Sequence, residues 1–366
     1  MSSTDTTGTP TRPEARIVVV AGSGRSGTSS IAGVLKLAGL RIPPPEVEGN
    51  KTNPRGFFEP RWVVDFQTRL LRDAGVVLTD ARPDAFDLTR KVGERPKVRE
   101  TAGTWLREQT AGHDALVLKD PRNSWFLPLW SQACADAGAG IGYLTMLRHP
   151  AEVVGSKDAY YKARSVGGSV RHAQTTRVAS WLNVALFSEQ LTRGGARTFV
   201  PYVDLLDDWR TVVARVVDEL ALPVGGDLSP AATAEIDEFV DPGLHRIRTE
   251  WSDIDCPDDV RDLAQATWDQ LDVLARSGGS DAAAEAALDE LRAQYVTRYA
   301  DAEALAQSTA EAARRAAAHQ AKKKAGNSGA GGPGARPASK ASPPPAERAT
   351  SFARRVARRA RRSLRG

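Results

Sequence analysis

Residues 17–40 read IVVVAGSGRSGTSSIAGVLKLAGL, and this stretch decides the fold. Residues 17–20 form a short, β-branched, uncharged run of the kind buried in a parallel sheet. Gly22, Ser23 and Gly24 break it, and Arg25-Ser26-Gly27-Thr28-Ser29 follow. From about Ser26, the residues Ile31, Val34, Leu35 and Ala38 keep helical spacing, with Gly39 placed to stop the helix. A strand that turns through glycines into a helix aims several backbone N–H groups, and the positive end of the helix dipole, at one point. The stretch therefore predicts an anion site, most naturally for phosphate. Gly22 and Gly27 have the spacing of G-x-x-x-x-G-K-[ST], but Thr28 stands where the nucleoside-triphosphatase lysine would follow Gly27. The one cation in the loop is Arg25. Without the lysine, the usual partner of the β- and γ-phosphates is missing. That points to a nucleotide that is not split at a γ-phosphate.

Outward from this stretch, strands alternate with helices. A Pro- and Gly-rich loop spans 41–55, followed by a predicted helix over 61–74, a polar turn region over 80–95 and a helix over 97–110. A short buried strand at 115–118, a helix over 125–137 and a strand at 141–147 come next. A helix starts at Pro150, breaks at Gly167-Gly168 and resumes over 169–193; a strand at 198–202 and an amphipathic helix over 207–220 follow. Such alternation indicates parallel βαβ units with ligands at the carboxyl ends of the strands. Past Leu222 the pattern predicts helices only, at 232–239, 258–275 and 281–306. The expected architecture is an α/β, P-loop-like three-layer fold: a central parallel sheet flanked by helices, a helical C-terminal part and a disordered basic tail. Residues 1–15 are expected to be disordered, 16–306 to form the one folded domain, 307–350 an Ala/Lys-rich segment and flexible linker, and 351–366 a basic amphipathic tail.

Two further motifs stand at strand ends. Leu147-Arg148-His149-Pro150 closes the third predicted strand, with Ser156 eight residues after Arg148, and Lys119-Asp120-Pro121 closes the second. With Arg25-Ser26-Gly27-Thr28, the arrangement resembles the sulfotransferase family, whose donor is 3′-phosphoadenosine 5′-phosphosulfate (PAPS). Members carry (K/R)-S-G-T, here in its arginine form, and later R-(D/H)-P with a serine eight residues after the arginine. The resemblance covers roughly residues 16 to 222. It implies that Gly24, Arg25, Ser26, Gly27, Thr28 and Ser29 hold the 5′-phosphate and that Arg148 and Ser156 hold the 3′-phosphate. Sulfotransferases that modify tyrosine have a similar K-D-P, which implies Lys119 near the sulfuryl group. Asn53-Pro54-Arg55-Gly56-Phe57-Phe58-Glu59 fits N-P-x-G-(F/Y)-x-E, found in many bacterial members.

Sulfuryl transfer moves SO₃ from a phosphosulfate to an acceptor hydroxyl. The bridging oxygen gains negative charge and the acceptor loses a proton, so cations are needed at the bridge and a base at the acceptor. Arg25 and Lys119 are the candidate cations. Glu59 is the candidate base, ahead of Asp65, His113, His149 and Glu48. Trp181, Asn183 and Tyr202 could face adenine or the acceptor. Plainer readings stand beside these: a helix-start carboxylate for Glu59, a strand-end lysine reaching solvent for Lys119, and core packing for Trp181, Asn183 and Tyr202. No metal is demanded, and the five histidines show no metal-ligand spacing.

Composition bounds the class. Hydrophobic residues make up 41% and charged residues 26%, the balance of an ordinary globular protein. The net charge of +5 comes from the tail: SFARRVARRARRSLRG at 351–366 holds seven arginines and no acid, and without those seven the rest carries −2. That argues against a general nucleic-acid partner. Phe352, Val356, Ala360 and Leu364 recur every four residues among the arginines, a pattern that suits an anionic membrane surface or nucleic acid. Cys134 and Cys256 lie far apart and give no disulfide framework. Residues 1–15 lack the apolar segment of a signal peptide, and no run reaches membrane-span length. A cytoplasmic protein, held at the inner face of the membrane by its tail, is expected. The expected activity is sulfuryl transfer from PAPS to a hydroxyl of a glycan or glycolipid. The alternatives are a P-loop small-molecule kinase and a non-catalytic nucleotide-binding protein of the membrane surface.

Overall fold

Four parallel strands stand in the order β2-β1-β3-β4: β1 (Arg16–Ala21), β2 (Ala115–Lys119), β3 (Gly140–Leu147) and β4 (Ala196–Pro201). They belong to a computed structural model, which describes residues 15–50, 53–161, 169–224, 228–241, 243 and 248–328. Of the segment expected to be disordered, 1–15, only Ala15 is described, and it packs against the core; the Gly167-Gly168 break, the linker over 329–350 and the basic tail at 351–366 lie outside the described residues.

Strand β1 is apolar throughout because both of its faces are covered. Ile17, Val19 and Ala21 pack on one side against α2 (Arg61–Ala74), α3 (Ala85–Gly93), α4 (Pro96–Thr110) and α5 (Leu127–Ala137). Val18 and Val20 pack on the other against α1 (Thr28–Leu37), α8 (Tyr202–Asp207), α9 (Trp209–Glu219) and α10 (Pro230–Phe239). A third core joins α6 (Pro150–Tyr161), α7 (Val170–Thr192), α11 (Asp258–Arg276) and the first turns of α12 (Ala282–Ser328) to Phe199 of β4. The result is the expected P-loop-like three-layer α/β fold with a helical C-terminal part.

Register aligns the carboxyl ends of the central strands. Val20 lies opposite Lys119, and Ala21 opposite Thr145. Asn123 locks this edge: its Nδ2 donates to the Val20 and Leu118 carbonyls (3.0 and 2.8 Å), and its Oδ1 accepts from Gln67 of α2 (2.9 Å). Since β2 and β3 lie on opposite sides of β1, the winding reverses between β1 and β3. A crevice at such a reversal is where open α/β sheets bind ligands.

Three segments differ from their sequence reading. Region 80–95, expected as polar turns, contains helix α3. Its buried residues Ala85, Phe86, Thr89, Val92 and Gly93 do share one face, but polar Asp87, Arg90 and Lys91 obscure the period. The helix expected over 207–220 is a separate α9, because the Asp208 carboxylate caps it by accepting from the Arg210 and Thr211 N–H groups (both 3.1 Å). Helix α12 does not stop near 306 but runs to Ser328, through the start of the segment read as linker. Alanine and long charged residues are strong helix formers, and Arg315 pairs with Glu311 one turn away (3.3 Å).

Candidate functional site

The loop between β1 and α1 sits at the winding reversal. Gly22 has φ 123°, and a Cβ there would lie 2.7 Å from the Met146 carbonyl oxygen, so glycine alone lets the end of β1 pass this close to β3. Its N–H donates to Ser124 Oγ (3.1 Å). Gly27 has φ 90°, and a Cβ would run into the Tyr202 ring. Arg25 is not glycine yet has φ 78°. Such a backbone costs about 1–3 kcal/mol and gathers at functional sites. No side chain caps α1, and its first turn holds no acid, so the dipole's positive end is left for an anion.

Arg25 and Arg148 interlock across the crevice. Arg25 Nε donates to Ser156 Oγ (3.0 Å), and Arg148 Nη1 donates to the Arg25 carbonyl (3.2 Å). Arg148 Nε donates to Glu152 Oε2 (2.9 Å), and its guanidinium lies over the Tyr202 ring (5.1 Å).

Two sizeable cavities adjoin the loop. The smaller, about 270 Å³, is lined by Arg25, Arg55, Arg148, Tyr202, Phe58 and Phe239 among others, a basic and aromatic wall suited to a flat, anionic ligand. The larger, about 640 Å³, is lined by Glu59, Lys119, Phe57, Lys157, His172 and Arg177 among others. Arg25, Thr28, Ser29 and Asn53 belong to the walls of both.

Glu59 and Lys119 meet in the larger cavity. Lys119 Nζ lies 2.5 Å from Glu59 Oε1 and donates also to Ser29 Oγ (3.0 Å). Side-chain exposures of 2% for Lys119 and 10% for Glu59 make this a desolvated pair. Burial pulls the Lys119 ammonium below its ordinary range, with the Glu59 carboxylate pulling the other way. Such a pair contributes little net stability for its desolvation cost, so its presence at a cavity calls for a chemical reason. The Glu59 main chain is fixed by the Val47 N–H, which donates to the Glu59 carbonyl (2.8 Å). Phe58 before it has φ 56°, held by edge-to-face packing on Phe239 (5.6 Å). Asp120 accepts from the Arg122 N–H and Nη1 (2.8 and 2.9 Å) and so shapes the turn after β2. Burial pushes its carboxyl up to about 6, against the opposing pull of Arg122.

The structure brings most of the sequence-predicted residues together. Gly24, Arg25, Thr28 and Ser29 line the larger cavity, and Arg25, Gly27, Thr28, Ser29 and Arg148 the smaller. Ser26 is 1% exposed and lines neither, and its hydroxyl has no partner among the described residues. Ser156 is buried and lines neither; it accepts from Arg25. Of the other candidate bases, Asp65 and Glu48 are exposed, His113 precedes β2 at the far end of the sheet, and none lines either cavity. His149 is wedged between Trp251 and Trp268 (both 5.5 Å) and bonds to Gln265 (3.0 Å). Trp181 is core, and Asn183 donates to the Asp80 and Arg82 carbonyls (3.1 and 2.8 Å). Tyr202, weighed from the sequence as core or as facing the ligand, is buried and faces the loop glycine. Among the residues that escaped the sequence reading is Lys157, which lines the larger cavity from α6, its one signal being its place next to Ser156.

No family model matches the chain, and no curated protein matches it either. The chain is similar to the solved sulfotransferase domain of the olefin synthase from Synechococcus PCC 7002, at 18% identity and a TM-score of 0.37, over 75% of this chain and 98% of that one. It is similar also to the sulfotransferase domain from the curacin biosynthetic pathway (17% identity, TM-score 0.38, 71% of this chain and 99% of that one). A sulfotransferase from Mycobacterium avium aligns at 14% identity with a TM-score of 0.41, over 72% of this chain and 77% of that one.

Proposed function

We propose that the chain transfers a sulfuryl group from PAPS to a hydroxyl of a glycan or glycolipid. One observation carries the reading: Glu59 and Lys119 meet at 2.5 Å in the wall of a cavity that shares Arg25, Thr28 and Ser29 with a second, basic and aromatic one. The residues fit the donor. The loop at Gly22–Gly27 is a cradle that side chains would fill, and it presents amides to a 5′-phosphate. Arg148, stacked on Tyr202, offers guanidinium donors to a 3′-phosphate, and Ser156 serves by holding Arg25.

In the reaction an acceptor oxygen–sulfur bond forms while the bond from sulfur to the bridging phosphate oxygen breaks. That oxygen leaves with the electron pair. Lys119 and Arg25 stabilise the charge growing there. Glu59, released from Lys119 as the ammonium turns to the leaving oxygen, takes the hydroxyl proton. The basic tail holds the enzyme on an anionic leaflet, where a glycolipid acceptor lies.

Calorimetry with 3′,5′-ADP, AMP and ATP tests the donor assignment. Charge-assisted hydrogen bonds to the 3′-phosphate are each worth about 1.5–3 kcal/mol, so 3′,5′-ADP is expected to bind at least about tenfold tighter than AMP. Tighter binding of ATP with Mg²⁺ would replace this reading with the kinase one.

A further inference from the structure

Lys157 is 5% exposed and lines the larger cavity. Its hydrogen bond among the described residues is a long donation to Ser23 Oγ (3.4 Å), and no carboxylate pairs with it there. The acid beside it, Asp158, is taken by Arg177 and by Gln174 Nε2 (2.7 Å). The remaining charged groups of the cavity wall are accounted for. Glu59 and Lys119 neutralise each other, Arg177 has Asp158, and Arg25 belongs to the donor loop. A buried ammonium with unused donors is costly unless an anion answers it. Burial, with Arg177 adding to it, draws Lys157 down to about 8, which leaves it largely protonated at neutral pH. On α7 the same wall carries His172, while the Thr176 hydroxyl donates to the His172 carbonyl (2.9 Å).

We infer that the acceptor carries an anionic group, a phosphate or a carboxylate, that binds against Lys157 while its hydroxyl faces Glu59. The inference rests on the proposed donor chemistry and narrows the acceptor to a charged molecule. An ammonium on a flexible stem is a point charge that suits a compact oxyanion of either kind.

The test titrates inorganic phosphate, and separately acetate, into the full chain saturated with PAPS, so that the donor and sulfuryl positions are already filled. One of the two anions is expected to bind the wild type, which tells a phosphate-bearing acceptor from a carboxylate-bearing one. Lys157→Met is expected to weaken that binding at least about tenfold, the loss of one charge-assisted contact. Lys157→Arg is expected to restore most of it. Either substitution is expected to change PAPS affinity less than it changes anion affinity. Equal anion binding by wild type and Lys157→Met overturns the inference, and so does the absence of binding by both anions. Anion binding seen with 3′,5′-ADP but lost with PAPS also overturns it, because Lys157 would then serve the sulfuryl group. Failure of PAPS itself to bind removes the donor reading, and the inference with it.

Discussion

Replacing Glu59 with glutamine keeps the side chain's shape but deletes the carboxylate that faces Lys119. Turnover is expected to fall by roughly two to four orders of magnitude, the usual worth of a general base. Affinity for 3′,5′-ADP should stay near wild type, because Glu59 lines the larger cavity and not the smaller. Steady-state sulfation beside calorimetry checks both, and near-normal turnover would remove Glu59 as the base. Lys157 makes a second prediction, of opposite sign for stability. Its folded pKa, about 8, lies below the ordinary 10.5. Below about pH 8 the native state holds a proton in a site that disfavours it, and the full cost stands. Between 8 and 10.5 the native state releases the proton first, so wild-type stability rises with pH. Lys157→Met is therefore expected to stabilise the fold at pH 7 by about 3 kcal/mol. Urea unfolding at pH 7 and pH 10 should show that gain shrinking at the higher value; a destabilised variant at pH 7 would mean the ammonium is satisfied by the protein. Arg25, Lys119 and Arg148 were legible because each sits in a short motif at or just after a strand end, and Glu59 because it closes a short motif just before α2. Lys157 was not, because a lysine on a helix reads as solvated until the fold shows what covers it.

The unit that does the most positioning is the β1–loop–α1 element, and it depends on two glycines. Gly27→Ala forces a Cβ into the Tyr202 ring at φ 90°. The expected result is a loss of roughly 1–3 kcal/mol of stability, with weaker 3′,5′-ADP binding. Thermal unfolding with and without the nucleotide separates the two effects. Arg148→Ala breaks the link between the β3 end and this loop, where Arg148 reaches the Arg25 carbonyl (3.2 Å). It should cost 3′,5′-ADP more affinity than AMP, by about tenfold for one lost charge-assisted bond. Equal losses would place Arg148 away from the 3′-phosphate. The four strands and most helices were legible because buried β-branched runs and a 3.6-residue period survive in the sequence. Helix α3 was not, since its apolar face is short and interrupted. The Asp208 cap between α8 and α9 was hidden because an aspartate inside an amphipathic run looks like any polar-face residue.

At the scale of the whole molecule, the sheet sets the site at its carboxyl edge and α12 leads away from it. Residues 301–310 of that helix are all exposed, so its length rests on local helix propensity. The basic segment at 351–366 is proposed to bind anionic membrane. Co-sedimentation with acidic vesicles is expected for the full chain, weakened by high salt and lost on deleting 347–366. Equal sedimentation of the deletion variant would remove the tail's role. Among the described residues no helix is long and apolar enough to cross a bilayer. The common wall of the two cavities, Arg25, Thr28, Ser29 and Asn53, has one further consequence. Occupants of adjoining chambers can be joined by a short linker. A bisubstrate molecule linking adenosine 3′,5′-bisphosphate to an anionic alcohol would hold its second half at millimolar effective concentration, and its avidity would exceed that of either half alone.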